Sequence, residues 1–521
     1  MHTSYHRTLV SVLAILMLLA LLLPFTASTA PTTAAQSPDG PPFSFPIAGE
    51  PGPNTWLYEQ HYGNTTTAFN YGDVWYIAGQ GMHFGLDIEV PCGTPVLAIA
   101  DGVVAFSDDS SFGSEPHNIV LDHPGTGYVS LYGHLQQPPT LQRGDTVERG
   151  QRIGLSGDPD GSCESRPHLH LEIRSEDYQR AYNPLPFFEQ PWHMLASIGP
   201  FVNPFQQDLD APYRWLRIED QPDVQFSGNF LNSYLRPWPP RVALAPPPNA
   251  TVRRTLDPLP EDVTVTREVI AQDVWNIGAW WYPDETQAVY IVDAVPGEGS
   301  GVFRQPLDGS PREYVQPTPP PLRSPDGRVS IERISGDMLV TDRDAGETYD
   351  VLTQGSYPSV SPDGERLLWQ VYYGDIYPGQ QPASLEVWVS NLDGSGAYRA
   401  YTQPGGAVQW LDEHRLLIIR PTTYLAETTL RVLDLDADDP QAVDLGTYRY
   451  LRDVQVAPGG GWIAFWTPFQ ENPADSGIYL QRTLPGSEPA KLGFFGAYRW
   501  RDSRSLYTLS FDGSTDVHTL G

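Results

Sequence analysis

The chain has 521 residues, of which 32 are Lys or Arg and 63 are Asp or Glu, for a formal net charge of -31. That length exceeds one ordinary hydrophobic core and predicts two or three domains. So acidic a composition excludes a protein built to bind nucleic-acid phosphates, which needs a basic surface.

In chain order, Leu9 to Phe25 is almost wholly apolar, follows Arg7 and precedes Ala27-Ser28-Thr29-Ala30. This is the pattern of a secretory signal with a small-residue cleavage site. The run also approaches the length of an uncleaved membrane anchor. Either form places the bulk of the chain outside the cytoplasm, secreted or held at the cell envelope. Residues 1–35 are read as signal and spacer, and the spacer's Pro, Thr, Ala and Ser run on to residue 42. Phe43 to Met82 is aromatic, with Tyr58, Tyr62, Tyr71, Trp75 and Tyr76, and most of these rings are expected to pack structurally. Cys92 and Cys163 are the two cysteines, compatible with one disulfide in an oxidising compartment or with two separate thiols.

From Ile88 to Arg174 the chain alternates short β-prone runs with turn signals. The runs are Val96–Ala100, Val103–Phe106, Ile119–Leu121, Val129–Leu131 and His168–Ile173; Asp101-Gly102, Pro124-Gly125 and Gly144-Asp145 separate them. The pattern predicts an antiparallel β domain. In the last run, alternation places His168 and His170 on one face and Leu169, Leu171 and Ile173 toward a core. Glu172 shares the histidine face and is expected to be a structural or supporting carboxylate. Upstream, His83 and Asp87 flank Gly85, a residue that permits a tight bend or a close approach. Two imidazoles and a carboxylate, from His83, Asp87 and His170, form a zinc ligand set with one tetrahedral position left open, as in catalytic sites.

A third segment, Ser130-Leu131-Tyr132-Gly133-His134-Leu135, lies between these two ends. The three segments in this order, over residues 43–185, resemble the lysostaphin/LytM-type zinc endopeptidases, which cut peptide cross-links of bacterial cell walls. The framework agrees in order: Pro91 to Val96, Ala100 to Val104, Asn118 to Val120, and Gly144 to Gly154. The resemblance implies Zn2+ at His83, Asp87 and His170, and catalytic roles for His134 and His168. One of the latter pair would take the proton of the attacking water and the other would serve the leaving amine. It also implies peptidoglycan stems or cross-bridges as substrate. Two positions depart from the family: His117, where glycine is usual, and Leu171, where an aromatic is common. His61, His117, His123 and His193 are expected in surface or hydrogen-bonded structural roles. Some relatives that have lost ligands act as wall-binding regulators, but here every ligand is present. Another alternative is a metallopeptidase acting on proteins chosen by the C-terminal part.

Residues 186–260 are proline-rich, with Arg236-Pro237-Trp238-Pro239-Pro240 and Pro246-Pro247-Pro248, and read as a connector. Beyond it, turns recur near 283, 325, 362, 411, 458 and 501, each followed by an apolar β-prone run. A β period of about 40–45 residues marks propeller blades. The repeats resemble TolB-like, WD-type blades, so 261–521 is expected to form about six of them. Asp262–Ile270 would supply the missing strand of the last blade. The predicted fold class is therefore all-β: an antiparallel peptidase domain followed by a β-propeller. Any protein or wall ligand on the propeller rests on architecture alone.

Overall fold

The computed structural model describes residues 42–198 except 66, 69–71, 73 and 74, residues 205–207 and 215–231, and, from 269 onward, the strands given below with most of the turns between them. The apolar N-terminal run, most of the spacer, Tyr71, the prolines between 236 and 248, and all of Asp262–Ile270 save Val269 lie outside the described residues.

The N-terminal β domain is built on one antiparallel sheet. Its strands are β1 (Leu57–Gln60), β2 (Leu86–Glu89), β4 (Gly102–Ser107), β5 (Ile119–His123), β6 (Tyr128–Gly133), β7 (Thr146–Val147) and β9 (His168–Ser175), while β3 (Pro95–Leu97) pairs β8 (Arg152–Leu155) separately. The order is β1-β2-β9-β6-β5-β4-β7, so the histidine strand β9 is central. Opposite residues of an antiparallel pair share a face, and the register sets Asp87 against His170 and Glu89 against His168. On the other side, Gly133 lies opposite His170 and Leu131 opposite Glu172.

The expected alternation along β9 holds. Leu169, Leu171 and Ile173 join Leu86, Ile88, Ile119, Leu121 and Tyr132 in the core. The opposite face carries His168, His170, Glu172 and Arg174, and these are buried as well.

The sheet continues past residue 185, within the stretch read from sequence as connector. Strand β10 (Arg180–Tyr182) pairs β9, and Val224–Gln225 then pairs β10. The Tyr62 hydroxyl fastens this edge, donating to the Ala181 carbonyl at 2.9 Å and accepting from the Val224 amide at 2.8 Å. A short buried helix, Trp192–Ile198, packs against β1 and the strand Gly496–Trp500.

The later strands form further antiparallel sheets in chain order. They span Gly278–Gln316, Val329–Val351, Ser359–Gln403, Ala407–Arg449 and Arg452–Lys491; a last sheet contains Gly496–Trp500, Leu506–Ser510 and Thr519–Leu520. Ala271–Gln272 pairs Thr519–Leu520, so the early strand completing the last sheet lies just beyond the expected Asp262–Ile270. Successive sheets bury apolar clusters between them. Val340 and Val351 meet Leu367 and Trp369, Val389 meets Val408 and Leu416, and Leu417 and Val432 meet Ile463 and Phe465. The turns at Ser361–Gly364 and Ala457–Gly460 join first and second strands, where the repeat put them. Trp466, Ile478, Tyr498 and Leu509 share one apolar cluster with Trp56, Leu57 and Leu195, so the last sheets and the β domain have a continuous core.

Candidate metal centre

His83, Asp87 and His170 are buried together, each offering a ligand atom, and these atoms all lie within 4.8 Å of one another. Asp87 Oδ1 is 2.7 Å from His170 Nδ1 and 3.3 Å from His83 Nε2, and the two nitrogens are 3.3 Å apart. Of the described residues, this is the one group of three or more His, Cys, Asp or Glu with such spacing.

The second nitrogen of each ring is committed elsewhere. His83 Nδ1 donates to the His61 carbonyl at 2.6 Å, leaving Nε2 for the centre. His170 has the reverse orientation: Nε2 faces Glu172 Oε1 at 3.3 Å, leaving Nδ1 for the centre. Glu172 is held in turn by Arg174 Nε at 2.6 Å, and the Arg174 guanidinium lies over the Phe226 ring, 4.3 Å from its centroid. Such outer partners fix the tautomer and direction of a metal-binding imidazole. The donor set therefore fits a zinc ion with one coordination position left over.

Gly85 explains how His170 comes so near β2. A Cβ at that position would stand 2.4 Å from His170 Cε1, so the ring occupies the space a side chain would need. Burial alone would raise the Asp87 carboxyl, but His83, His168 and the bond to His170 outweigh it and hold Asp87 well below the usual carboxylate range. His170 is pushed up to about 9: burial opposes its charge, but Asp87 and Glu172 on either side of the ring prevail.

His134 and His168 stand beside the cluster. The His134 ring centroid is 4.7 Å from that of His168 and 5.7 Å from that of His170. His168 Nδ1 donates to the Arg166 carbonyl at 2.7 Å, and its Nε2 is 3.7 Å from Asp87 Oδ1. His134, half-buried and with a left-handed φ of 53°, donates from Nδ1 to the Glu115 carbonyl. Each ring thus turns Nε2 to the site as its available base. Burial pushes His168 down to about 4, and burial together with His168 and His170 holds His134 well below the ordinary histidine range.

All five residues singled out from sequence are brought together here. The other four histidines weighed from sequence have hydrogen-bonded or ion-paired places of their own. His123 bonds Ser130 Oγ and the Asp101 carbonyl, His117 pairs with Asp108, His193 pairs with Glu219, and His61 contributes its carbonyl. Sequence reasoning missed Glu59, 3.4 Å from His168 and 3.0 Å from Arg166. It also missed Asp158, whose carboxylate accepts from the amides of Ser165 and Arg166 and so fixes the carbonyl that orients His168. Neither lies in a motif. Cys92 and Cys163 form a disulfide, tying the 158–166 loop to the strand region after β2.

Residues 81–184 match the model of Peptidase family M23. Among curated proteins, the chain is 38% identical over 91 residues to "Peptidoglycan DD-endopeptidase ShyA" of Vibrio cholerae, covering 18% of this chain and 20% of that one. It is 31% identical over 140 residues to lysostaphin of Staphylococcus simulans, covering 26% and 28%. It is 38% identical over 92 residues to "Cell division protein DipM" of Caulobacter vibrioides, covering 17% and 14%. Among solved structures, the catalytic domain of lysostaphin from Staphylococcus simulans aligns with 29% identity over 25% of this chain and 91% of that one, with a TM-score of 0.21. The chain thus spans only 20–28% of the length of the first curated relatives it matches. The matches support an M23, LytM-type peptidase domain, in a family of metallopeptidases, and the His-Asp-His cluster of the structure can hold a metal.

Proposed function

We propose that the chain is a zinc endopeptidase that hydrolyses peptide cross-links of bacterial peptidoglycan outside the cytoplasm. The observation that carries this reading is the convergence of His83, Asp87 and His170 with two further imidazoles, His134 and His168, at the buried polar face of β9. Named relatives such as the peptidoglycan DD-endopeptidase of Vibrio cholerae support the substrate class.

Zinc at the three ligands would supply a Lewis acid that polarises the scissile carbonyl and makes water nucleophilic at neutral pH. The chain's own groups do the rest. His83 and His170 are locked as ligands by the His61 carbonyl and by Glu172. His168 and His134 keep Nε2 unprotonated at neutral pH, ready to take the proton of the attacking water and return one to the leaving amine. Both stand close enough to share these tasks.

We further read the apolar N-terminal run as the export signal and residues 43–185, extended by 218–231, as the peptidase domain. The six later sheets are read as blades of a propeller. The repeated clusters between sheets support the blades, as do the indole bonds from Trp410 to the Ser359 carbonyl and from Trp500 to the Gln455 carbonyl. A wall or protein ligand on them would direct the enzyme.

The test is mass spectrometry of fragments released from intact peptidoglycan sacculi, with and without chelator. Chelator-sensitive peptide fragments are expected. Zinc-loaded protein that releases none would overturn the peptidoglycan substrate and favour a protein substrate or a regulatory role.

A further inference from the structure

Four carboxylates are buried around the imidazole cluster: Glu59, Asp87, Glu89 and Glu172. Three of them are matched by a guanidinium. Arg166 Nε lies 3.0 Å from Glu59, Arg174 Nε lies 2.6 Å from Glu172, and Arg452 Nη2 lies 3.0 Å from Glu89. The fourth, Asp87, faces only imidazoles among its ion pairs, which is what a metal-ligating carboxylate requires.

Two of these arginines belong to the β domain. The third comes from the strand Arg452–Val456 of the C-terminal sheets, 363 residues from its partner. Glu89 is two residues beyond Asp87 on β2, on the same face, and directly opposite His168 on β9. Its Oε2 has no hydrogen-bond partner among the described residues, so the Arg452 bond to Oε1 is the main constraint on where this carboxylate points. Without that bond a second arginine-free carboxylate would stand beside the imidazoles. Burial makes such an unpaired charge costly, and the nearest relief is the histidines or the metal they hold.

We infer that Arg452 is a positioning residue of the metal centre: by holding Glu89 away from His168 and Asp87, the C-terminal sheets complete the site rather than merely carry it to its target. The inference rests on the zinc reading above. It gives the second half of the chain a role that needs no ligand of its own.

The test uses the full chain and zinc itself as probe, with affinity measured by competition against a chromophoric chelator and thermal unfolding of the metal-free protein followed in parallel. Arg452→Met is expected to weaken zinc binding by about 10–100-fold, the range for loss of an outer partner. Arg452→Lys should restore most of it. So should the double variant Glu89→Gln/Arg452→Met, in which no unpaired charge remains. Wild-type affinity in Arg452→Met would overturn the inference. So would a double variant as weak as the single one, since the loss would then come from a loosened interface and not from Glu89. If the wild-type chain takes up no zinc, the zinc reading fails first; if it takes up zinc and Arg452→Met matches it, only this inference falls.

Discussion

Gly85→Ala is the smallest change that addresses the metal centre directly. The added Cβ would stand 2.4 Å from His170 Cε1, 2.5 Å from its Nε2 and 3.0 Å from the Leu171 carbonyl oxygen. Comfortable carbon contacts need about 3.5–4.0 Å, so the ring must retreat by about 1 Å. Gly85 is not among the residues with positive φ, so alanine meets no backbone strain and the effect falls on the ring. That ring is held at both edges, by Asp87 at 2.7 Å and Glu172 at 3.3 Å, and a shift of that size breaks one of the two.

Overpacking of this kind costs about 1–3 kcal/mol. If all of it falls on the ligand geometry, zinc affinity drops by about 5- to 140-fold, at 1.4 kcal/mol per decade. The assay is a chelator competition titration beside denaturant unfolding of the metal-free protein. Zinc affinity within about threefold of wild type, with an unchanged unfolding midpoint, would show that the ring has room and that the closeness of Gly85 to His170 does not shape the site.

His134→Ala should keep full zinc stoichiometry yet lose peptide cleavage by about 10²-fold or more, read by metal analysis and fragment release on the same sample; equal activity refutes its role. Glu172→Gln should destabilise the metal-free protein by about 3–5 kcal/mol, because Arg174 is left buried without its carboxylate, and unfolding titrations decide. Zinc uptake should grow tighter with pH. His170, pushed up to about 9 in the metal-free site, must release its proton to bind, so affinity should rise about tenfold per pH unit up to about pH 9 and then level; a flat profile from pH 6 to 9 refutes the coupling. Replacing Cys92 and Cys163 by serine opens a loop of sequence separation 71, which the chain-entropy relation values at about 4 kcal/mol of stability; zinc stoichiometry should not change.

Four of the five clustered residues carry local signals, whereas His134 was singled out through the resemblance borne by the order of the three segments. A period of two along His168–Ile173 fixes which side chains share a face, and His83-Phe84-Gly85-Leu86-Asp87 carries its own spacing. The supporting residues were not legible, because their partners are distant in sequence. Glu59 meets Arg166 and His168, and Glu89 meets Arg452, only after folding. The stretch after Pro184 read as connector because proline argues against central strands, whereas Val224–Gln225 joins at an edge, paired to β10 alone. The turn spacing found the later sheets. It placed the strand that completes the last of them a little early, since two residues, Ala271–Gln272, suffice for that pairing.

Burying both faces of one sheet imposes a condition on the whole chain. The apolar face of β9 needs only packing, and Leu169, Leu171 and Ile173 find it within the domain. The polar face needs each charge matched where it stands, because an unpaired buried ion costs several kcal/mol. Arg166 and Arg174 lie within the segment that matches the peptidase family, but other groups that complete this face come from outside it. Glu59 and the His61 carbonyl precede it, while Phe226 and Arg452 follow it. Asp87 alone is left to imidazoles, and that exception marks the carboxylate best suited to hold a metal. A polar sheet face whose every other carboxylate is neutralised by arginine has one position at which a divalent cation improves the balance of charge, and the lead-in, the connector and the C-terminal sheets all help keep it so.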